Sequence, residues 1–520
     1  MNVLLINPDH NINNNFPWGV LSIGSYLNQQ NKNVKILDLS NYAQDQTEKI
    51  EEDTNWADLV GIGMFSSDIP GIKEIIDSIK SKDPSMPIIC GGPHVVLDPE
   101  STCEYCNIDF VCYGEGERTL DLLIDELEKH ESNFSNVPGL IYKHNNQIIK
   151  TVPSHPVGIY DIDYELLHED VQKSFNDYIQ VLTGRGCSYR CTFCYNPVIN
   201  QKFRPRAAGK IINEIDKVVK KYNPKIIYFR DENFFQEKDR ILDFIELYKE
   251  RNYSFKWRAT CRVSYFRDNY INDELLLKLE EVNCQTLKFG LESGSQRVLN
   301  YMKKGIKVSW SKNAINKIAK SKIGGNYSFL IGLPTETYHE YIETLNLMKY
   351  IVDHDRNLDS LIGPQYFRLY PGGELYNDVT SNYQFIKKPE SFEEYSQAFI
   401  NDQLGIYTEM DYPWIPKKGQ YTAKHSNYLI RLYRMNTQDI LHYKRLLLVP
   451  LILFLFRYVA RVRFKLGFFS YLYEFYLFSK LHKISHNILG LDYFVANRHK
   501  WIRWWSKLPY RAQRAQEIEK

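Results

Sequence analysis

The feature that most limits how this chain can fold is an alternation of short runs, apolar along most of their length, with helix-length segments. In the first 130 residues the runs are NVLLIN from Asn2, VKILDL from Val34, DLVGIGM from Asp58, PIICGG from Pro87 and DFVCYG from Asp109. Runs with no polar face belong in a parallel sheet covered by helices on both sides, so residues 1–135 are expected to form a doubly wound parallel α/β sheet. Such sheets bind ligands beyond the carboxyl ends of their strands. That edge would carry Ser66 and Ser67, the segment Gly91-Gly92-Pro93-His94, and Gly114-Glu115-Gly116-Glu117, three loops facing one crevice.

Within residues 136–178, GLIYKHNNQIIKT reads as a hairpin turning at Asn145-Asn146, followed by an irregular connector. A second alternation starts at Tyr178 with the strands YIQVLTG, KIIYFRD, SFKWRATCR, QTLKFGLES, NYSFLIGL and PQYFRLYP, and a helix follows each of the first five. Six such units over residues 179–380 predict an open, partial (β/α)6 barrel with its chemistry at the carboxyl ends of the strands. At 520 residues the chain is modular on length alone.

The first barrel strand runs into Thr183-Gly-Arg-Gly-Cys187-Ser-Tyr-Arg-Cys191-Thr-Phe-Cys194. Three thiolates at i, i+4 and i+7 on a glycine-loosened loop can wrap one corner of an inorganic cluster. A zinc site would want a fourth Cys or His nearby, and the next downstream candidates are remote, so a 4Fe-4S cluster with one open iron is the better reading. The nine cysteines are too sparse for a disulfide framework and read as ligands or buried thiols. Cys90, Cys103, Cys106 and Cys112 are expected to be core thiols, and no cysteine follows Cys284 to hold a carboxyl-terminal second cluster.

This CxxxCxxC loop, in this barrel position, resembles the signature of the radical S-adenosylmethionine (radical SAM) superfamily. The resemblance implies that Cys187, Cys191 and Cys194 ligate the cluster and that its unique iron chelates the amino and carboxylate groups of S-adenosylmethionine. One electron would then cleave the sulfonium to a 5′-deoxyadenosyl radical, which calls for a one-electron reductant such as flavodoxin or ferredoxin. It further implies that Phe193 lies against adenine and that Asp231 or Glu232, in Phe229-Arg-Asp-Glu-Asn-Phe, receives the ammonium of S-adenosylmethionine. Glu292, with Ser293 beside it, would accept hydrogen bonds from the ribose hydroxyls, and Phe329-Leu-Ile-Gly-Leu-Pro-Thr-Glu-Thr would support adenine. Arg262, ending the third barrel strand, could neutralise the carboxylate of S-adenosylmethionine.

The preceding sheet, with Leu5-Ile-Asn-Pro8, Gly91-Gly-Pro-His94 and Gly114-Glu-Gly-Glu117, resembles the cobalamin-binding subset of that superfamily. The resemblance implies a Rossmann-like domain whose cobalamin contacts would be Ser66, Ser67, Gly91, Gly92, His94, Gly114, Glu115, Gly116 and Glu117. The DxHxxG pattern that supplies a histidine to cobalt is missing, since Asp38 continues as Leu-Ser-Asn-Tyr, so no histidine ligand to cobalt is expected. A sheet that binds nothing is the other reading. The activity implied is methylation of an unactivated carbon in a small-molecule or lipid-like biosynthetic intermediate. Cyclisation or oxidation without methyl transfer, and a non-catalytic iron-sulfur sensor or electron carrier, are the alternatives.

Residues 381–520 form a mainly helical region of different material. Residues 441–520 hold 15 Lys or Arg against 4 Asp or Glu, so the rest of the chain is acidic although the net charge is +2. LLLVPLILFLF is followed by Arg457, Arg461, Arg463 and Lys465, then by FFSYLYEFYLF and the later Trp501-Ile-Arg-Trp-Trp505. Cations beside aromatic surface suit a helix lying in a membrane interface. A helical cap packed on the barrel fits equally well, whereas the polar spacing of a nucleic-acid groove is missing. The amino terminus has no secretory pattern, and the longest apolar run, Leu446 to Phe456, is 11 residues with Pro450 inside it. The expected address is cytoplasmic, with peripheral membrane attachment as the alternative to a simple cap.

Overall fold

β1 (Asn2–Asn7), β2 (Asn33–Asp38), β3 (Leu59–Gly63), β4 (Ile88–Gly91) and β5 (Phe110–Cys112) form a parallel sheet in the order β2-β1-β3-β4-β5. This is the computed structural model of the chain, and the residues described are 1–8, 16–42, 46–105, 107–130, 133–199, 202–267, 270–368, 371–382, 388–400, 414–415, 417–435, 437, 440 and 448–489. Cys106 and residues 490–520, Trp501 among them, lie outside the described residues. The uniformly apolar strands have the predicted cause. Leu4, Ile6, Val60, Ile62, Ile88 and Cys90 pack into one layer, while Val3, Leu5, Leu59, Ile89 and Cys112 pack into the other. Strand order reverses between β1 and β3, which opens a crevice at their carboxyl ends.

The hairpin is β6 (Leu140–His144) and β7 (Gln147–Lys150), with Asn145 and Asn146 at φ 50° and 61° as a two-residue turn of this twist demands. It is not part of a separate linker: β6 pairs antiparallel with β5, so the hairpin is the edge of a seven-stranded sheet. The stretch that joins the two sheets is the shorter 151–177.

The second sheet contains β8 (Tyr178–Val181). Between it and the next strand a short antiparallel clasp is made by β9 (Gly184–Arg185) and β10 (Arg204–Pro205). Then follow β11 (Ile226–Phe229), β12 (Lys256–Cys261), β13 (Cys284–Glu292), β14 (Gly324–Ile331) and β15 (Ser360–Tyr366). All six long strands are parallel and neighbour one another in chain order, the arrangement of a partial (β/α)6 barrel. Trp257, Phe229, Phe289, Tyr327 and Phe329 fill it.

The carboxyl-terminal region is helical, with helices Lys417–Arg434, Leu448–Leu466 and Tyr473–Leu489. Leu429 and Leu432 of the first, Leu453, Phe456, Ala460 and Phe464 of the second, and Phe475 and Phe478 of the third are buried in the barrel's own apolar core. The cap reading therefore describes their inner faces. Among the described residues no helix is long and apolar enough to cross a membrane.

Candidate active site

Where β8 ends, the backbone is held by a buried carboxylate. Asp231 accepts hydrogen bonds from the Thr183 amide at 2.7 Å and the Thr183 hydroxyl at 2.6 Å, and the Arg240 guanidinium lies 3.7 Å away. Asp231 is thereby engaged in anchoring the root of the cysteine loop. Its neighbour Glu232 points the other way and lines a cavity together with Arg185 and Arg230. Desolvation in that crevice, with the Asp231 charge adding, raises the Glu232 carboxyl above its ordinary value.

The clasp of β9 and β10 closes the base of the loop, and Thr192 N donates to Met302 O at 2.9 Å, tying its far side to the segment after β13. Cys191 is buried, while Cys187 and Cys194 are half-buried. Burial raises the Cys187 and Cys194 thiols, and the charge of Cys191 raises both further. Among the described residues no three His, Cys, Asp or Glu side chains close on a single point, as a lone metal ion requires. A four-iron cube is not a point, since each cysteine takes a different iron and the sulfurs stand apart. Three thiols on one short loop fit that group and disfavour zinc.

Arg262 places Nη1 3.9 Å from the Cys191 sulfur, lies over the Tyr189 ring at 3.5 Å and donates from Nη2 to the Lys304 carbonyl. Its Nε is buried with no hydrogen-bond partner, an orphaned donor beside the loop that an anionic ligand group would satisfy. Glu292 is buried at the end of β13 with φ 64° and is paired with Lys304 Nζ at 2.7 Å. That ammonium lies 5.4 Å from the centre of the Phe193 ring. Gly290 makes the pair possible, because a Cβ there would overlap the Glu292 carboxylate. Ser293, in contrast, is wholly buried, bonded to the Thr344 hydroxyl at 3.1 Å and to the Ser295 amide at 3.0 Å, which removes it from the candidate ribose contacts. Glu336 accepts from the Gly332 amide at 2.6 Å and braces the turn after β14.

The carboxyl ends of β1, β3, β4 and β5 open onto a cavity of about 510 Å³, shared with the barrel through Leu182, Arg185, Tyr195, Arg230 and Glu232. Gly91, Gly92, Gly114, Glu115, Gly116 and Glu117 all line it. Gly92 has φ 108° and a Cβ there would stand 2.9 Å from the Met64 amide nitrogen. Gly114 has φ 132° with no atom near where a Cβ would go, so its backbone is bare towards the space. A cradle of bare backbone between two domains fits a large flat macrocycle. No histidine is among the described residues lining it.

Three of the residues expected to contact cobalamin are not among those lining this cavity. His94 is fully buried, bonded through Nδ1 to the Ser66 hydroxyl at 3.0 Å and packed edge-on against Tyr395 at 4.8 Å. Burial pushes its pKa down to about 4, so it is a neutral core residue. Ser66 and Ser67 border a second cavity of about 310 Å³, next to Thr192, Phe193 and Cys194. Cys90, Cys103 and Cys112 are buried core thiols.

Sequence reasoning missed an interdomain clamp. Arg185, two residues before Cys187, donates to Glu117 at 2.6 Å, Tyr160 donates to the same carboxylate at 2.8 Å, and Arg204 donates to Glu115 at 3.1 Å. Burial pushes the Glu117 carboxyl up, but the Arg185 charge and these hydrogen bonds outweigh it and hold it below its ordinary value. Glu115 and Glu117 thus face the cavity as tethered groups. The available signal was Arg185 and Arg204 flanking the cysteine loop, with two unexplained carboxylates in Gly114-Glu-Gly-Glu117.

The chain matches the Radical SAM superfamily over residues 181–348 and the B12 binding domain family over residues 13–124. An uncharacterized methyltransferase of Pyrococcus horikoshii is 30% identical over 386 residues, covering 70% of this chain and 79% of that protein. The anaerobic magnesium-protoporphyrin IX monomethyl ester cyclase of a Synechocystis species is 24% identical over 397 residues, covering 72% and 77%. In fold, the chain is similar to the cobalamin-dependent S-adenosylmethionine radical enzyme OxsB, solved with aqua-cobalamin and S-adenosylmethionine. The TM-score is 0.63 at 19% identity, over 100% of this chain and 80% of that one.

Proposed function

The chain belongs to the radical SAM superfamily and carries a B12-binding domain, and from that premise we propose that it methylates an unactivated carbon of a small-molecule or lipid-like substrate. It is a cobalamin-dependent radical SAM enzyme, with a 4Fe-4S cluster, S-adenosylmethionine and cobalamin as its cofactors. The observation that carries the proposal is one cavity lined from both sides, by the bare glycine backbone of the first sheet and by residues that flank the three-cysteine loop. Cys187, Cys191 and Cys194 would hold the cluster. The bare backbone at Gly91, Gly92, Gly114 and Gly116 would seat cobalamin. Together these groups supply a one-electron source, a hydrogen-abstracting radical precursor and a methyl donor.

The protein's own part is binding, orientation and charge. Glu232, open to the cavity, is the acceptor for an ammonium, and the Arg262 guanidinium is the donor for a carboxylate. Glu292 is held by Lys304 with its backbone in a left-handed conformation, so its carboxylate is fixed before any hydroxyl arrives. Arg185 and Arg204 lock the cysteine loop to the sheet that would carry cobalamin and keep the two halves of the crevice in register. The 310 Å³ cavity beside Cys194 is walled by Phe65, Phe193, Val198, Leu375 and Tyr376, and Arg368 is the one charged side chain among its described lining residues. Such walls suit a mainly apolar substrate with a single anionic group.

The test is product mass. The anaerobically reconstituted, reduced enzyme is incubated with a small-molecule extract and S-adenosylmethionine deuterated in its methyl group. Methylation predicts a product heavier by the intact labelled methyl, formed together with 5′-deoxyadenosine. A product that has lost hydrogen and carries no label would replace methylation with cyclisation or oxidation and leave the family assignment standing.

A further inference from the structure

The helices Leu448–Leu466 and Tyr473–Leu489 are apolar on two opposite faces, and only one of those faces is covered by the barrel. On the first helix the buried stripe is Leu453, Phe456, Ala460 and Phe464. Half a turn round, Leu451, Leu455 and Tyr458 stand 66%, 58% and 66% exposed. Leu466 at 70% and Phe468 at 53% continue the surface through the turn, and Leu477 at 55% carries it onto the second helix. A helix apolar on all sides is normally buried on all sides. Exposed apolar surface this continuous marks an interaction site.

What covers it is set by the charges woven into the same outer stripe. Arg461 and Lys465 follow Leu451, Leu455 and Tyr458 on the outward side, and Lys480 lies on the outward side of the second helix; all three are exposed. Residues 448–481 contain five Lys or Arg and a single acid, Glu474. That acid is consumed internally, bonded to Arg463 at 2.6 and 2.8 Å. Two copies of this face brought together would set like charges against each other. A bilayer containing anionic lipid complements it, because leucines and tyrosines enter the headgroup boundary while Arg and Lys reach phosphates beside them. Neither helix is long and apolar enough to span.

We propose that the outer face of these two helices is a peripheral docking surface for anionic lipid bilayers, holding the enzyme flat on a membrane. This goes beyond the catalytic reading and does not depend on it, since none of these residues lines either cavity.

The experiment is cosedimentation of the full-length holoenzyme with phosphatidylcholine vesicles, with and without phosphatidylglycerol, at low and high salt. Expected is binding to the anionic vesicles that weakens with salt. Arg461→Gln/Lys465→Gln should lower it about thirtyfold, at about fivefold per removed cation. Leu451→Ser/Leu455→Ser/Leu477→Ser should lower it by about tenfold or more through lost apolar area. All five positions are exposed, so the melting temperature and 5′-deoxyadenosine formation should stay unchanged. Absence of binding to both vesicle types would overturn the proposal, as would binding indifferent to both sets of substitutions. A wild-type dimer that the leucine variant converts to a monomer would also overturn it and make this face an interface between copies.

Discussion

Replacing Cys191 by alanine is expected to reduce 5′-deoxyadenosine formation to background and to remove most of the iron-sulfur absorbance of the reconstituted protein. The reason is stoichiometric: three thiolates serve three irons, and the loop carries no fourth cysteine. Cys191 is also the buried member of the set, lying against Arg262, so its loss leaves an uncovered cation at the centre of the loop. Cys284→Ala is the matched control. That thiol is equally buried, but it opens β13 at the far end of the barrel, and its removal should cost a small packing term without touching iron content. Full turnover by Cys191→Ala, or loss of iron from Cys284→Ala, would place the cluster elsewhere.

The second large effect is expected at the clamp. Arg185→Met removes the cationic partner of the buried Glu117 carboxylate and leaves it the hydrogen bond from Tyr160. Breaking one partner of a buried pair costs about 3–5 kcal/mol, because the remaining charge is desolvated and uncompensated. The denaturant midpoint should fall accordingly, and cobalt retained after purification from vitamin-supplied cells should drop as the crevice loosens. Arg185→Met/Glu117→Gln should recover most of the lost stability, since the orphaned charge is gone. The pH dependence has a definite sign. The Glu117 carboxyl is held below its ordinary value of 4.5, so the clamp contributes fully above that pH and is lost as pH falls through the lowered folded value. In Glu117→Gln that acid-side loss should vanish. Equal stability of Arg185→Met and the parent would refute the clamp.

Both sheets and the cysteine loop were legible because they rest on local regularities, namely uniformly apolar strands, helix-length spacers and fixed cysteine spacing. The choice between Asp231 and Glu232 was not. Adjacent residues just past a strand point to opposite sides, and only the three-dimensional approach of Thr183 decides which one is consumed. His94 shows the same limit over a longer span: its ring turns into the core because Tyr395, some three hundred residues later, is packed there. The sequence placed Ser293 beside Glu292, but Thr344, on the helix after β14, captures it. Lys304 has no role legible in the sequence, since nothing in a turn sequence says that a lysine folds back onto a carboxylate twelve residues before it. For the basic tail, composition supported both a cap and a lipid-facing surface; the helices bury one face in the barrel core and leave the opposite face exposed.

The most direct measurement is electron paramagnetic resonance of the anaerobically reconstituted, dithionite-reduced chain before and after adding S-adenosylmethionine. The account predicts a 4Fe-4S signal whose g values change when the nucleotide binds the open iron, and no such signal in Cys187→Ala/Cys191→Ala/Cys194→Ala. A spectrum that ignores the nucleotide, or one that survives loss of all three cysteines, would contradict it.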